Sequence, residues 1–152
     1  MLSKTCQYAV RATVFIAIRT ADGIKPGLKE VAREIQSPEH FTAKILQTLV
    51  RTRIIRSTKG PSGGFFLEKE GKEIPLIRIL EAFRCDQWFH CCILGLEQCS
   101  DQHPCPVHRE FTVIRENLKQ MMISSSVQTM ARDMQSGSFF LASPDPFRKG
   151  IP

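Results

Sequence analysis

The chain has 152 residues, of which 42% are hydrophobic and 24% charged, with six cysteines and a formal net charge of +6. That length suits one core with an appended arm and excludes two full domains, while its size and apolar content exclude a small cysteine-stapled scaffold. The charge is lopsided: residues 1–66 hold eleven Lys/Arg against four Asp/Glu and residues 67–152 ten against eleven, so the N-terminal segment is the half that a polyanion would meet.

From Ser3 to about Thr20, Tyr8, Ala12, Phe15 and Ile16 recur at helical spacing, and Ala21-Asp22-Gly23 closes the segment. Its apolar run Ala12 to Ile18 lies between Arg11 and Arg19, far short of the ~20 residues of a membrane span, and no small-residue cleavage site follows. A cytoplasmic protein with reduced thiols is expected, without a membrane partner. After the turn Lys25-Pro26-Gly27, Leu28, Val31, Ala32 and Ile35 give a short second helix. Ser37 is expected to cap a third, with Pro38 in its first turn and Phe41, Ile45, Leu46 and Leu49 on its buried face. Off that face stand Thr42, Lys44, Gln47, Thr48 and Arg51, donors and cations of the kind that reach base edges and phosphates from the major groove. An ordinary solvated helix face is the competing reading.

Arg53 to Leu67 then reads as two β-prone runs around a Gly/Pro/Ser turn, which completes the order helix, helix, hairpin of a winged helix-turn-helix. Arg56, Lys59, Gly60, Ser62 and Gly63 form its wing, where cations and bare backbone amides can approach phosphates. Pro75 opens a helix through Leu76, Ile79, Leu80 and Phe83 that packs back on the module. The expected fold is mainly α with a small β-hairpin: a winged helix-turn-helix domain over 1–84, a cysteine-rich sensor loop over 85–105, a dimerisation helix over 106–135 and a loose tail over 136–152.

The loop carries Cys92-x6-Cys99-x5-Cys105-x2-His108, three thiols and an imidazole within seventeen residues. Soft thiolates suit iron–sulfur clusters and zinc, and an imidazole can complete a set of four. Cys91 adjoins Cys92 and is an alternative first ligand. Zinc is a rival occupant, although Cys3His zinc sites space their pairs more tightly. Metal-free thiols are the third reading, because Cys91 and Cys92 adjoin and a further pair among Cys85, Cys99 and Cys105 could form a reversible disulfide. Cys6 and Cys85 are expected to be buried and inert, and Trp88 and Phe89 to anchor the loop. Beyond it Val107, Phe111, Ile114, Leu118 and Met121 alternate steps of four and three, a seam along a helix some 28 residues long that a second copy would cover. Phe139, Phe140, Pro144, Pro146 and Gly150 punctuate the tail. The chain offers no Cys-x-x-Cys pair, phosphate-binding glycine loop or nucleophile–base spacing, so no enzyme and no small-molecule substrate is expected; a zinc-stapled protein-interaction module is the rival class.

Lys4 to Ala12, Phe41 to Leu49 and Lys59-Gly-Pro-Ser-Gly-Gly-Phe-Phe-Leu67, taken with the downstream cysteines, resemble the IscR/NsrR-type winged-helix transcription regulators as far as about residue 130. The resemblance implies a homodimeric repressor or activator that binds a double-stranded DNA operator and holds an iron–sulfur cluster, [2Fe–2S] ahead of [4Fe–4S], through Cys92, Cys99 and Cys105. His108 stands in the place of the histidine ligand of the IscR-type branch. Gln7 stands where the nitric-oxide-sensing branch supplies a carboxylate from the partner subunit, and the neighbouring Cys6 is a distant candidate for the fourth ligand.

Overall fold

The computed structural model describes residues 2–68, 73–97, 100–137 and 139–141, apart from the side chain of residue 88. Its first and central helix, α1 (Lys4–Ala21), is started by Ser3, whose Oγ accepts from the Cys6 amide at 3.3 Å. Cys6, Ala9, Ala12, Thr13, Ile16 and Ala17 recur at three and four residues and are buried, so one face of α1 becomes the floor of the core. Against it pack α2 (Leu28–Glu34), α3 (Glu39–Arg51), α4 (Leu76–Ala82) and, most extensively, α6 (Val127–Gln135). Ile16, Ile45, Leu46, Leu49, Ile79 and Leu80 are fully buried, each worth about 1.5–3 kcal/mol of transfer free energy.

The first four helices end alike. The residue after each cap turns left-handed, Gly23 at φ 76°, Gln36 at 55°, Arg53 at 59° and Arg84 at 52°. The next amide then reaches back to a carbonyl of the last turn: Ile24 to Arg19, Ser37 to Ala32, Ile54 to Leu49 and Cys85 to Leu80, at 2.8–3.0 Å. This closure decides where α3 begins. Ser37 does not cap α3, because its backbone is committed to ending α2. Pro38 in extended conformation is the N-cap, and the buried Ser37 Oγ finds no partner among the described residues.

The hairpin pairs β1 (Arg56–Thr58) antiparallel to β2 (Gly64–Phe66), with Arg56 opposite Phe66 and Thr58 opposite Gly64. It is seated on the α1–α2 turn by a hydrogen bond from the Phe65 amide to the Pro26 carbonyl at 3.0 Å. A Cβ on Gly64 would collide with the Lys25 carbonyl oxygen, so the missing side chain is what permits that seating.

The long helix expected beyond the cysteine loop is two helices. α5 (His108–Ser124) ends at the run Ser124-Ser125-Ser126, and Ser126 caps α6 by accepting from the Thr129 amide at 3.0 Å. Serines at a potential cap compete with helix continuation. The break is then fixed from across the chain: Leu76 donates to the Ser125 carbonyl at 2.9 Å, Val127 to Ile74 at 2.8 Å, and Ile74 to Gln128 Oε1 at 2.8 Å. The start of α4 is thus stapled to the α5–α6 joint, and α6 returns to cover α1 with Val127 and Ala131 buried. Val107 is the N-cap of α5 rather than part of it. Pro144, Pro146 and Gly150 of the expected tail lie outside the described residues.

Candidate functional site

The second helix of the helix-turn-helix unit, α3, presents His40, Lys44, Gln47 and Arg51 to solvent, with Thr48 half-exposed beside them. These positions follow at four, three and four residues, one outward stripe at helical period. Thr42 does not belong to it. It is fully buried and its Oγ1 donates to the Pro38 carbonyl at 3.1 Å, so the residue expected to read DNA instead completes the inward stripe with Ile45, Leu46 and Leu49. His40 takes its place on the outside, and the spacing back from Lys44 was the signal that finds it. Phe41 is only half-buried, set edge-on to Tyr8 at 5.9 Å between ring centroids.

On the hairpin, Lys59, Gly60 and Ser62 are exposed at the tip and Gly63 is half-exposed. Gly60 has φ 105° and accepts from Gly63 at 2.9 Å, which closes the turn. Arg56 is exposed, with its Nε 2.8 Å from Glu68 Oε1. A pair so exposed contributes little to stability and leaves the guanidinium open to a phosphate that outbids the carboxylate.

The cysteine loop begins where α4 ends. Phe89, in a 3-10 turn over Gln87–Phe89, is 4% exposed and anchors it in the core. The Trp88 side chain lies outside the description. Cys91 faces solvent while its carbonyl accepts from Arg115 Nη1 at 3.3 Å, tying the loop to α5. Cys92 is 5% exposed, with its Sγ 3.8 Å from that of Cys105. The backbone amides of Leu96 and Leu94 point at the Cys92 sulfur and hold its thiol below the usual range.

A simple construction tests whether this pair fits a metal centre. Two thiolates on one tetrahedral ion, with bonds of about 2.3 Å, stand about 3.8 Å apart. Cys92 and Cys105 are at that separation. His108 opens α5 one turn beyond Cys105. It is 7% exposed, and its Nε2 lies 2.8 Å from Asp101 Oδ1, the histidine–carboxylate pairing that orients imidazole ligands. Cys99 lies outside the described residues, and among those described no three of His, Cys, Asp and Glu are gathered to hold a metal ion. Of the expected four, two are therefore brought together here.

The remaining cysteines form a separate group. Cys6 is fully buried in the first turn of α1, and burial, reinforced by the facing Cys85 thiol, pushes its own thiol far above the usual range. Cys85 lies 3.2 Å from Ser3 Oγ. Cys6 is buried as expected, whereas Cys85, also expected to be buried, is only half-buried.

A family model described as "Rrf2: Iron-dependent Transcriptional regulator" matches residues 2–133. An HTH-type transcriptional regulator of Aquifex aeolicus is 27% identical over 132 residues, 86% of this chain and 90% of that protein. Among solved structures, CymR, the global cysteine regulator of B. subtilis, superposes with a TM-score of 0.69 at 21% identity, covering 88% of this chain and 97% of its own. IscR of T. potens gives 0.69 at 16% identity, covering 92% of each chain. At such identities the two structures establish the winged-helix fold and no more. Among the described residues no helix is long and apolar enough to cross a membrane.

Proposed function

The chain belongs to the Rrf2 family of transcriptional regulators, which are not enzymes, and on that premise we propose that it is a homodimer whose hold on an operator is set by an iron–sulfur cluster bound at the cysteine loop. Cys92, Cys99 and Cys105 are its thiolate ligands and His108 its fourth. The observation that carries this reading is the 3.8 Å separation of Cys92 and Cys105 Sγ. When bound, the cluster supplies a centre that an oxidant, nitric oxide or iron shortage can destroy, and one imidazole in the ligand set makes it easier to lose than four thiolates would.

The chain's own residues supply the rest. On α3, Lys44, Gln47, Thr48 and Arg51, joined by His40, enter the major groove, while Arg56, Lys59, Gly60, Ser62 and Gly63 of the wing meet the flanking backbone. Val107, Ile114 and Met121 are exposed along α5, with Phe111 and Leu118 half-buried beside them, and a second copy covers this stripe. The loop reaches the DNA-reading unit through α5, whose first turn holds His108 and whose far end is stapled to Ile74 and Leu76. A change at the loop therefore tilts the two α3 helices relative to successive grooves about 34–36 Å apart.

The same close thiols favour one second reading, a metal-free switch in which Cys92 and Cys105 form a reversible disulfide. Optical absorption with iron and sulfide analysis on protein prepared without oxygen separates the two. The cluster reading expects broad visible bands with iron and sulfide in equal amounts; colourless protein whose two thiols vanish on mild oxidation would replace it with the disulfide reading. Duplex binding that strengthens steeply as salt falls distinguishes both from a protein-interaction module.

A further inference from the structure

The α1–α2 turn and the base of β2 border an open cleft of about 720 Å³, lined by Thr20, Ile24, Lys25, Phe66, Leu67 and Glu68. None of these residues belongs to the α3 stripe, the wing tip or the cysteine loop. Its volume falls in the range of about 300–1,000 Å³ typical of small-molecule sites. Ile24, Phe66 and Leu67 make the floor apolar, and Ile24 is 39% exposed.

The polar groups on the rim are nearly all engaged. Thr20 donates to the Ile16 carbonyl at 2.7 Å and accepts from the Leu67 amide at 3.1 Å. Glu68 is taken by Arg56 at 2.8 Å. Lys25 differs: its Nζ stands 4.7 Å from the centroid of the Phe66 ring, and it has no carboxylate partner among the described residues. An ammonium placed over an aromatic face, beside an apolar floor and without a carboxylate partner among the described residues, is complementary to an anion that carries its own apolar body.

From this we infer that the cleft is a binding site for a small amphipathic carboxylate, with its apolar body on Ile24, Phe66 and Leu67 and its carboxylate at Lys25. A bare phosphate, whether free or from a DNA backbone, would use the ammonium and leave the floor uncovered, so the floor argues for the organic anion. An occupant would touch both sides of the joint closed by the Phe65 amide and the Pro26 carbonyl, and so bear on how the wing is set. The site is independent of the cysteine loop and of whatever that loop binds.

The test uses the full chain with cinnamate and octanoate as probes, cinnamyl alcohol as the uncharged analogue, and acetate and inorganic phosphate as anions without an apolar body. Millimolar cinnamate or octanoate is expected to raise the unfolding temperature by about 3 °C. It should also shift the NMR signals of Ile24, Leu67 and the Phe66 ring, while the alcohol, acetate and phosphate do neither. Lys25→Met keeps the aliphatic stem and should weaken probe binding at least about fivefold, the effect of losing one charge-assisted contact. Failure of both carboxylates to perturb those residues would overturn the inference. So would acetate or phosphate acting as strongly as cinnamate, which is the mark of an ordinary surface lysine, or Lys25→Met binding the probes as well as the parent does.

Discussion

Thr42 loses the outward position that residue chemistry alone assigns it, and His40 holds that position instead. A threonine two positions before a lysine looks like a base-reading group, yet α3 buries it and bonds its hydroxyl to Pro38. The inward stripe 42, 45, 46, 49 is as regular as one starting at Phe41, and only the tilt of α3 on α1, a tertiary fact, decides between them. Thr42→Val is therefore expected to leave duplex affinity within about twofold, whereas Lys44→Ala and Arg51→Ala each weaken it roughly five- to tenfold, read by fluorescence anisotropy at fixed salt. Cys6 gives a second outcome at this scale. Its thiol ionises far less readily in the folded chain than in the unfolded one, so its contribution is complete below the unfolded value near pH 8.5 and is lost as pH rises above it. Urea unfolding should show stability falling between about pH 8 and about pH 10, and Cys6→Ala should flatten that slope while costing some stability at neutral pH. The choice between Cys91 and Cys92 was open in the sequence because adjacency says nothing of direction; the structure turns Cys92 toward Cys105 and Cys91 to solvent.

The helices and the hairpin were legible in order because apolar periodicity and Gly/Pro punctuation carry them, while their ends were less so. Gln36, Arg53 and Arg84 close α2, α3 and α4 in left-handed geometry without a glycine to announce it. Gln36→Gly should relieve that backbone cost and raise stability by about 0.5–1 kcal/mol in chemical denaturation. The break between α5 and α6 escaped the seam pattern because Met121 to Met134 keeps enough apolar residues to read as one helix. The break is fixed from across the chain, by the hydrogen bonds from Ile74 and Leu76 to Gln128 and Ser125. Gly64 makes the corresponding point for the wing. A methyl there meets the Lys25 carbonyl, so Gly64→Ala is expected to cost about 1–3 kcal/mol and to loosen duplex binding through the displaced hairpin.

At the scale of the molecule, exposed apolar residues run along α5, from Val113 and Ile114 to Met121 near its end. Ile114, 60% exposed, lies in the middle of the stripe assigned to a second copy. Ile114→Glu should yield monomers in sedimentation equilibrium and lower duplex affinity at least about tenfold, because two half-sites are then bound one at a time. The cysteine loop was the least legible part. Spacing names the donors, but convergence of the cysteines depends on a loop with little regular structure, and of the four donors the structure brings Cys92 and Cys105 together. The most direct measurement is duplex affinity for protein prepared without oxygen, compared with Cys92→Ala and Cys105→Ala on the tightest sequence selected from a random pool. Coloured parent protein, colourless variants and at least about a tenfold difference in affinity between them are expected. Variants that hold the selected duplex as tightly and with the same preference as a coloured parent would contradict the account.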